Sequence, residues 1–328
     1  MTTPPSDPTS DPTSDLTSDP TSGRSPHPPR PASGINFTLQ AGAATVVVAS
    51  LAAALRSYEY DGVALTETWG DGDIPAGGGG ILLAPWPNRV AGGRWSLHGT
   101  EQRLDITEPA RGNAIHGLLR NTGYRAVDVG AAHAVLEAEI FPQHGYPFHL
   151  LHRATYELTE EQLTVTQELT NLSPDAAPFA LGAHPYLRIS DVPTEELTLT
   201  VLADEMIETD DRSIPTGTVA VSGQHDLRTG RRVGDLRFDT AFASLATVGG
   251  RHEHVLTAPD GRSVTLWADA AFAYAHVYVS TVYPGADKAV AIEPMTAPAD
   301  AFNSGEGLRW LDPGASFSAR WGILPALG

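Results

Sequence analysis

The sequence predicts an all-β protein built as one large antiparallel β-sandwich, and three observations carry that expectation. Gly and Pro are frequent, at 32 and 26 of 328 residues, which works against long helices and suits many short strands joined by turns. Short stretches of alternating apolar and polar residues recur from Ile35 onward, the period of a strand with one dry face. No amphipathic helix longer than about two turns can be drawn anywhere in the chain.

The clearest strand is 163–170, Leu-Thr-Val-Thr-Gln-Glu-Leu-Thr, which alternates along its length. The stretch 151–158 precedes it, and the polar quartet Thr159-Glu160-Glu161-Gln162 between them reads as the turn of an antiparallel hairpin. Comparable runs lie at 125–139, 197–201, 264–267, 275–280, 289–292 and 316–321. The apolar stretch 41–55 is too short for a membrane span and reads as a pair of core strands. No composition shift divides 34–328, so it is expected to form a single domain. Ahead of it, 1–33 carries a recurring Ser-Asp-Pro-Thr unit with almost no apolar residues. Such a segment cannot offset its ordering entropy by burial, so a disordered tail is expected.

Composition excludes several function classes. The formal net charge is −18 with a pI near 4.9, so phosphate backbones would be repelled and nucleic acid is not an expected partner. A neutral small molecule is not disfavoured. Basic residues are almost all arginine, Lys288 being the one lysine. With no cysteine, disulfides, thiolate metal sites and a cysteine nucleophile are ruled out. The polar N-terminal stretch shows no secretory signal, so a cytoplasmic protein is expected, with no membrane partner, as a monomer or homodimer.

Some motifs fail on inspection. Gly77-Gly78-Gly79-Gly80 has no following Gly-Lys-Ser/Thr, so it reads as a flexible loop and not as a phosphate cradle. His252-Glu253-His254 could set two imidazoles on one face of a strand, but no third ligand stands nearby, and no metal site is assigned. There is no Gly-x-Ser-x-Gly elbow to support a serine hydrolase.

Five segments instead place titratable groups among turn residues and apolar strands: 84–90, Ala-Pro-Trp-Pro-Asn-Arg-Val; 113–118, Asn-Ala-Ile-His-Gly-Leu; 181–187, Leu-Gly-Ala-His-Pro-Tyr-Leu; 238–242, Phe-Asp-Thr-Ala-Phe; and 292–296, Ile-Glu-Pro-Met-Thr. Taken singly, each has an ordinary reading: a packed histidine, a strand-end glutamate, a surface arginine. In this order they resemble the aldose 1-epimerase family over essentially all of 35–327. The most specific match is Ala291-Ile292-Glu293-Pro294-Met295-Thr296-Ala297-Pro298.

That resemblance implies a galactose mutarotase-like sandwich that interconverts the α and β anomers of a hexose without cofactor or metal. It sets Glu293 at the position of the general base and His184 at that of the general acid. Arg89, His116 and Asp239 fall where the family binds the sugar, with Asn88 beside Arg89. His276 falls where some members carry a substrate-binding glutamine. The chain departs from the galactose-type branch in reading Ala183-His184-Pro185-Tyr186 and Gly117-Leu118, which leaves the sugar open.

The chemistry suits these groups. Opening a hemiacetal ring needs a base for the C1 hydroxyl proton and an acid for the ring oxygen, which exchange roles on closure. A carboxylate near an imidazole is expected to raise the fraction of imidazole that is charged. Trp86 and Tyr186 flank the candidates and could offer aromatic faces to a sugar or simply pack. Three other readings stand beside this one. A hexose-6-phosphate epimerase would need basic groups such as Arg94, Arg111, Arg120 or Arg153. A non-catalytic sugar-binding sandwich would not need both acid and base. A glycosidase would pair Asp239 with Glu293.

Overall fold

The structure, a computed structural model, describes residues 29–328; the Ser-Asp-Pro-Thr repeats expected to form a tail lie outside the described residues. Alternation becomes pairing as expected. Strands Leu150–Leu158 and Leu163–Asn171 form a hairpin in unbroken antiparallel register from Leu150↔Asn171 to Leu158↔Leu163. Its turn closes with Thr159 N–H donating to Gln162 O at 2.9 Å, while the Thr159 hydroxyl oxygen accepts from the amides of Glu161 and Gln162.

This hairpin sits within a nine-stranded sheet in the order Arg125–Val129, His133–Ile140, Leu150–Leu158, Leu163–Asn171, Ser316–Ala326, Ser263–Asp269, Arg251–Thr257, Thr198–Val201 and Arg231–Arg232. A second, eight-stranded sheet runs Pro215–Ala220, Ala203–Thr209, Asp239–Leu245, Tyr274–Ser280, Ala289–Met295, Gly182–Ala183 and Leu82–Leu83, with Tyr186–Leu187 also pairing Ala289–Met295. Strand pairs in both are antiparallel. One apolar cluster joins their inner faces, with Tyr156, Val165, Leu266 and Trp321 from the first sheet and Phe242, Val277 and Ile292 from the second. Each fully buried large apolar side chain of this kind contributes roughly 1.5–3 kcal/mol. A four-stranded sheet, Asn36–Ala41, Ala44–Ala49, Leu55–Tyr60 and Val63–Ala64, contributes Leu39, Val46, Val48 and Tyr58 to the same cluster. No helix among the described residues is long and apolar enough to cross a membrane.

The structure departs from the sequence expectations in three places. The run 125–139 is two strands, Arg125–Val129 and His133–Ile140, folded back through Gly130, whose N–H donates to His133 O at 2.9 Å. Arg125–Val129 is the outer edge of its sheet and is exposed along its whole length; its register shifts between Ala126 and Asp128. The last residues assigned to the tail are docked, because Ser33 is buried and its carbonyl accepts from Leu51 N–H. The four glycines of 77–80 are not a loose loop. Gly80 N–H donates to His184 O at 2.8 Å, and a Cβ at Gly80 would lie 2.0 Å from Leu55 O.

Two histidines are buried away from any pocket. His152 shares the inner face of its strand with Leu150 and Ala154, with its Nδ1 2.7 Å from the Tyr124 hydroxyl. His252 and His254 do share a face of strand Arg251–Thr257, with Glu253 on the other face paired to Arg251. No group of three potential ligands forms among the described residues. Burial pushes His152 down to about 4, against the neighbouring Gln167 side chain, which acts the other way. Burial and then the charge of His252 push His254 down to about 3. Both are therefore depressed in the folded state, which binds fewer protons than the unfolded chain between these values and about 6.5. Their contribution is complete above about pH 6.5 and is lost as pH falls towards 4 and then 3. We expect the thermal unfolding midpoint to fall between pH 7 and 4, and to fall less steeply in the His152→Gln/His254→Gln double variant. An equally steep fall in that variant would show that other groups set the slope.

Candidate active site

The site stands on the face of the eight-stranded sheet that points away from the shared core. In strand Ala289–Met295, Val290 and Ile292 enter the core, so Ala289, Ala291, Glu293 and Met295 point the other way. The neighbouring strand Tyr274–Ser280 sends Val277 and Val279 inward and Tyr274, His276 and Tyr278 outward. Register then aligns the groups: His276 pairs with Glu293 and with Ala241, and Tyr278 pairs with Ala291 and with Asp239. His184 is fixed from the other side, its N–H donating to Ile81 O at 3.0 Å and its carbonyl accepting from Gly80.

The wall is made by two segments that meet as short strands, Arg89–Val90 against Ala114–Ile115. Asn88 and His116 both adopt positive φ, 51° and 63°, a conformation that bulky side chains avoid without support. Support comes from His116 N–H donating to Asn88 O at 2.9 Å and from Gly117 behind it. Gly117 has φ 71°, and a Cβ there would come within 2.1 Å of Ala84 O. These positions turn His116 and Arg89 inward.

Asn88, Arg89, His116, His184, Asp239, His276 and Glu293 all line one cavity of about 240 Å³, together with Gly77, Glu108, Arg111, Ile115 and Tyr278. That volume is below the roughly 300–1,000 Å³ of pockets for drug-sized ligands, so the cavity is one for a small ligand. His184 Nε2 and Glu293 Oε1 are 3.3 Å apart, and both side chains are nearly inaccessible, at 4% and 2%. The His116 ring meets that of His184 edge-on at 5.2 Å. Beside them runs a chain of polar contacts: Asn88 Nδ2 to His276 Nδ1 at 3.4 Å, then His276 Nε2 to Asp239 Oδ1 at 2.9 Å. Asp239 Oδ2 accepts from Arg111 at 3.0 Å and from Arg89 at 3.4 Å. Glu108 grips Arg89 through both oxygens, at 2.9 and 3.0 Å. Three buried atoms here have no partner in the protein, Glu293 Oε2, His184 Nδ1 and His116 Nδ1, an unusual concentration for buried polar atoms.

The electrostatics separate these groups. Burial would lift Asp239, but the hydrogen bond and charge of His276 and the charges of Arg89 and Arg111 outweigh it and hold the carboxyl well below the usual range. Glu108 is likewise lowered, burial being overcome by Arg89, Asn113 and Arg111. His116 is pushed far down, first by burial and then by His184 and the nearby arginines. His184 corrects the expectation drawn from its neighbour. Glu293 does favour the charged imidazole, but burial is the larger effect and the net direction is downward. Asp239, held ionised by Arg89, Arg111 and its hydrogen bond with His276, has no proton to offer as the acid of a glycosidase.

Sequence reasoning missed Glu108, Arg111 as a partner of Asp239, Gly77 and Tyr278. Tyr278 was within reach, since the alternation of its strand puts it on the face of His276. Of the two aromatic candidates, Trp86 belongs to the core, packed against Phe302 at 5.4 Å and near Tyr146. Tyr186 backs His184 and packs on Tyr283. Of the four arginines considered for a phosphate, Arg94 pairs with Glu101 and Arg153 with Glu137 away from the cavity. Arg120 borders a separate cavity with Trp86 and Leu118. Arg111 alone lines this one.

An all-β sandwich with a buried imidazole–carboxylate pair in a small polar cavity has the form of a small-molecule site equipped for proton transfer. Comparison with known proteins agrees: the aldose 1-epimerase family model matches residues 36–323, and the chain belongs to the aldose 1-epimerase family. It is 30% identical over 289 residues to the Escherichia coli (strain K12) protein YihR, described as uncharacterized, covering 86% of this chain and 90% of that one. Among solved structures, the fold matches a putative aldose 1-epimerase from Escherichia coli K12 with TM-score 0.77 at 19% identity, covering 90% of this chain and 99% of the other. A galactose mutarotase-like protein from Clostridium acetobutylicum matches with TM-score 0.78 at 18% identity, over 89% and 95% of the two chains.

Glu108 neutralises a guanidinium that is 7% exposed. Glu108→Gln should therefore lower stability by about 1–3 kcal/mol, as when one partner of a charged hydrogen bond is removed. Urea unfolding measures this, and an unchanged midpoint would show that the pair contributes no net stability.

Proposed function

We propose that this protein is an aldose 1-epimerase that opens and recloses the ring of an unmodified hexose, with Glu293 and His184 as the proton-transfer pair. The observation that carries the reading is the 3.3 Å approach of His184 Nε2 to Glu293 Oε1 at the buried base of a cavity otherwise lined by hydrogen-bonding groups. In a pyranose, O1 and O5 are both bonded to C1, so two facing groups can each meet one oxygen. Glu293 takes the proton from the O1 hydroxyl as His184 gives one to O5 and the C1–O5 bond breaks. Rotation about C1–C2 presents the other face of the aldehyde. His184 then removes the proton from the C5 hydroxyl while Glu293 returns its proton to O1. The number of protons on the pair is restored at the end, and no cofactor or metal enters.

The site supports this cycle in two ways. Burial opposes a charged His184, and the Glu293 carboxylate is the group that offsets it. Arg89, Asp239 and His276 are already oriented by their mutual contacts and His116 by packing on His184, so little ordering remains when the sugar hydroxyls bind. The half-buried Tyr278 offers an aromatic face to sugar C–H bonds. Both guanidiniums that line the cavity are committed to Glu108 and Asp239. This favours an uncharged sugar over a hexose 6-phosphate, which calls for a free cation.

Polarimetry or NMR saturation transfer over a panel of aldoses, with glucose 6-phosphate included, is the direct test. Accelerated anomer exchange of a neutral hexose is expected. Binding without acceleration for every sugar would replace the enzyme with a sugar-binding protein, and a preference for the phosphate ester would overturn the substrate class. Glu293→Gln and His184→Asn should each lower the rate by roughly 10²–10⁴-fold. The glutamate variant should lose more, because it removes both the base and the charge that supports a protonated His184. Near-full activity in either variant would remove that residue from the mechanism.

A further inference from the structure

The rim of the cavity is held from outside by a residue that does not touch it. Glu108 and Arg111 belong to the irregular segment 108–113, which is closed on itself by Gly112 N–H donating to Glu108 O at 2.9 Å and Glu108 N–H donating to Asn113 O at 2.9 Å. Its own side chains tie it to the site through Glu108 on Arg89 and Arg111 on Asp239, while its backbone is held from outside. That hold comes from the turn between strands Ala203–Thr209 and Pro215–Ala220, about 100 residues later in the chain. There, Arg212 Nε donates to Arg111 O at 2.9 Å, and Arg212 Nη2 donates to Gly112 O at 2.8 Å and to Asn113 Oδ1 at 3.0 Å. Asn113 Nδ2 returns a bond to Arg212 O at 2.9 Å.

The turn is itself pre-shaped. Asp210 Oδ1 accepts from the amides of both Arg212 and Ile214 at 2.9 Å, and Ser213 sits at φ 59°. Arg212 has no carboxylate partner among the described residues, so its charge is directed onto the carbonyl oxygens of the loop, an arrangement stronger than a neutral hydrogen bond. Asn113, fully buried, transmits the hold inward, since its Nδ2 also reaches Glu108 Oε2 at 3.3 Å. Glu108 in turn grips Arg89, and Arg111 reaches Asp239.

We propose that Arg212 is a positioning residue for sugar binding: it clamps the 108–113 rim so that Glu108, Arg111 and, through them, Arg89 and Asp239 meet the substrate pre-aligned. The proposal rests on the sugar-epimerase reading for its kinetic consequence but not for its structural one. Without the clamp the rim samples open positions, and binding must bear the cost of closing it. The proton-transfer pair, anchored on strand Ala289–Met295 and at His184, keeps its geometry.

The test compares wild type, Arg212→Ala and Arg212→Lys. In Arg212→Ala, KM for the best aldose should rise about tenfold or more, with kcat within about threefold of wild type. Lysine, which keeps the charge and fewer directed donors, should fall between the two. Amide hydrogen exchange in the peptide covering 108–113 should be faster in the alanine variant, while the peptide covering 289–295 is unchanged. Unchanged KM, or a fall in kcat at constant KM, would overturn the proposal, as would unaltered exchange at 108–113. If wild type turns over no aldose, the functional reading fails on its own, and the exchange comparison alone decides whether Arg212 holds the rim. Should the alanine variant not fold, the lysine variant carries both measurements, with a KM rise and faster rim exchange expected and wild-type values for both overturning the proposal.

Discussion

The register between strands Tyr274–Ser280 and Ala289–Met295 is the constraint on which the rest of the site depends. Side chains alternate between faces, so a slip of one residue would turn Glu293 and His276 into the apolar core and bring Ile292 and Val277 out. That core penalises the slip heavily, and this is how a packing preference becomes a chemical specification. Once the register is set, the Asp239 strand follows, and Glu293, the His276 imidazole and the Tyr278 ring stand in fixed relation before any loop is placed.

Over this rigid face the loops solve a different problem, the burial of charge. Arg89 is nearly inaccessible, and an isolated guanidinium could not be held there without large cost. Glu108, Asp239, Arg111 and the amide of Asn88 surround it, so each ion is matched by partners that also fix its direction. The contrast with His184 and Glu293 is informative. They have one partner each within the protein at this distance and retain unpartnered atoms, so their remaining capacity is left for a ligand.

How much of this could be read in the sequence follows from where each feature lies. Half-buried strands such as Leu163–Asn171 were legible because water on one face writes an alternation into the residues. Strand Ala289–Met295 is buried on both faces and carries no alternation; its first four residues read as a strand run, and the short motif around Glu293 marked the rest. The candidate residues in that motif and its four companions line one cavity. Glu108 escaped, and Arg111 was named only as a possible phosphate contact, because they lie in an irregular segment whose course is set by hydrogen bonds to distant backbone, which local pattern does not encode. The direction of the His184 shift was misread for a related reason: the neighbouring carboxylate can be inferred from a motif, whereas the depth of burial is a property of the assembled fold. Whether Trp86 and Tyr186 pack or face the cavity likewise needed the faces of two separate segments to be known.

The exposed strand Arg125–Val129 has a consequence of its own. It ends a broad sheet, and a straight, apolar terminus of that kind would offer a second molecule a continuous line of free amides and carbonyls. The irregularity at Ala126 and Asp128 breaks the spacing of that line, and the charges of Arg125 and Asp128 keep it wetted. The sheet is thereby finished as well as ended, which keeps its border from pairing with a second copy and propagating into fibres.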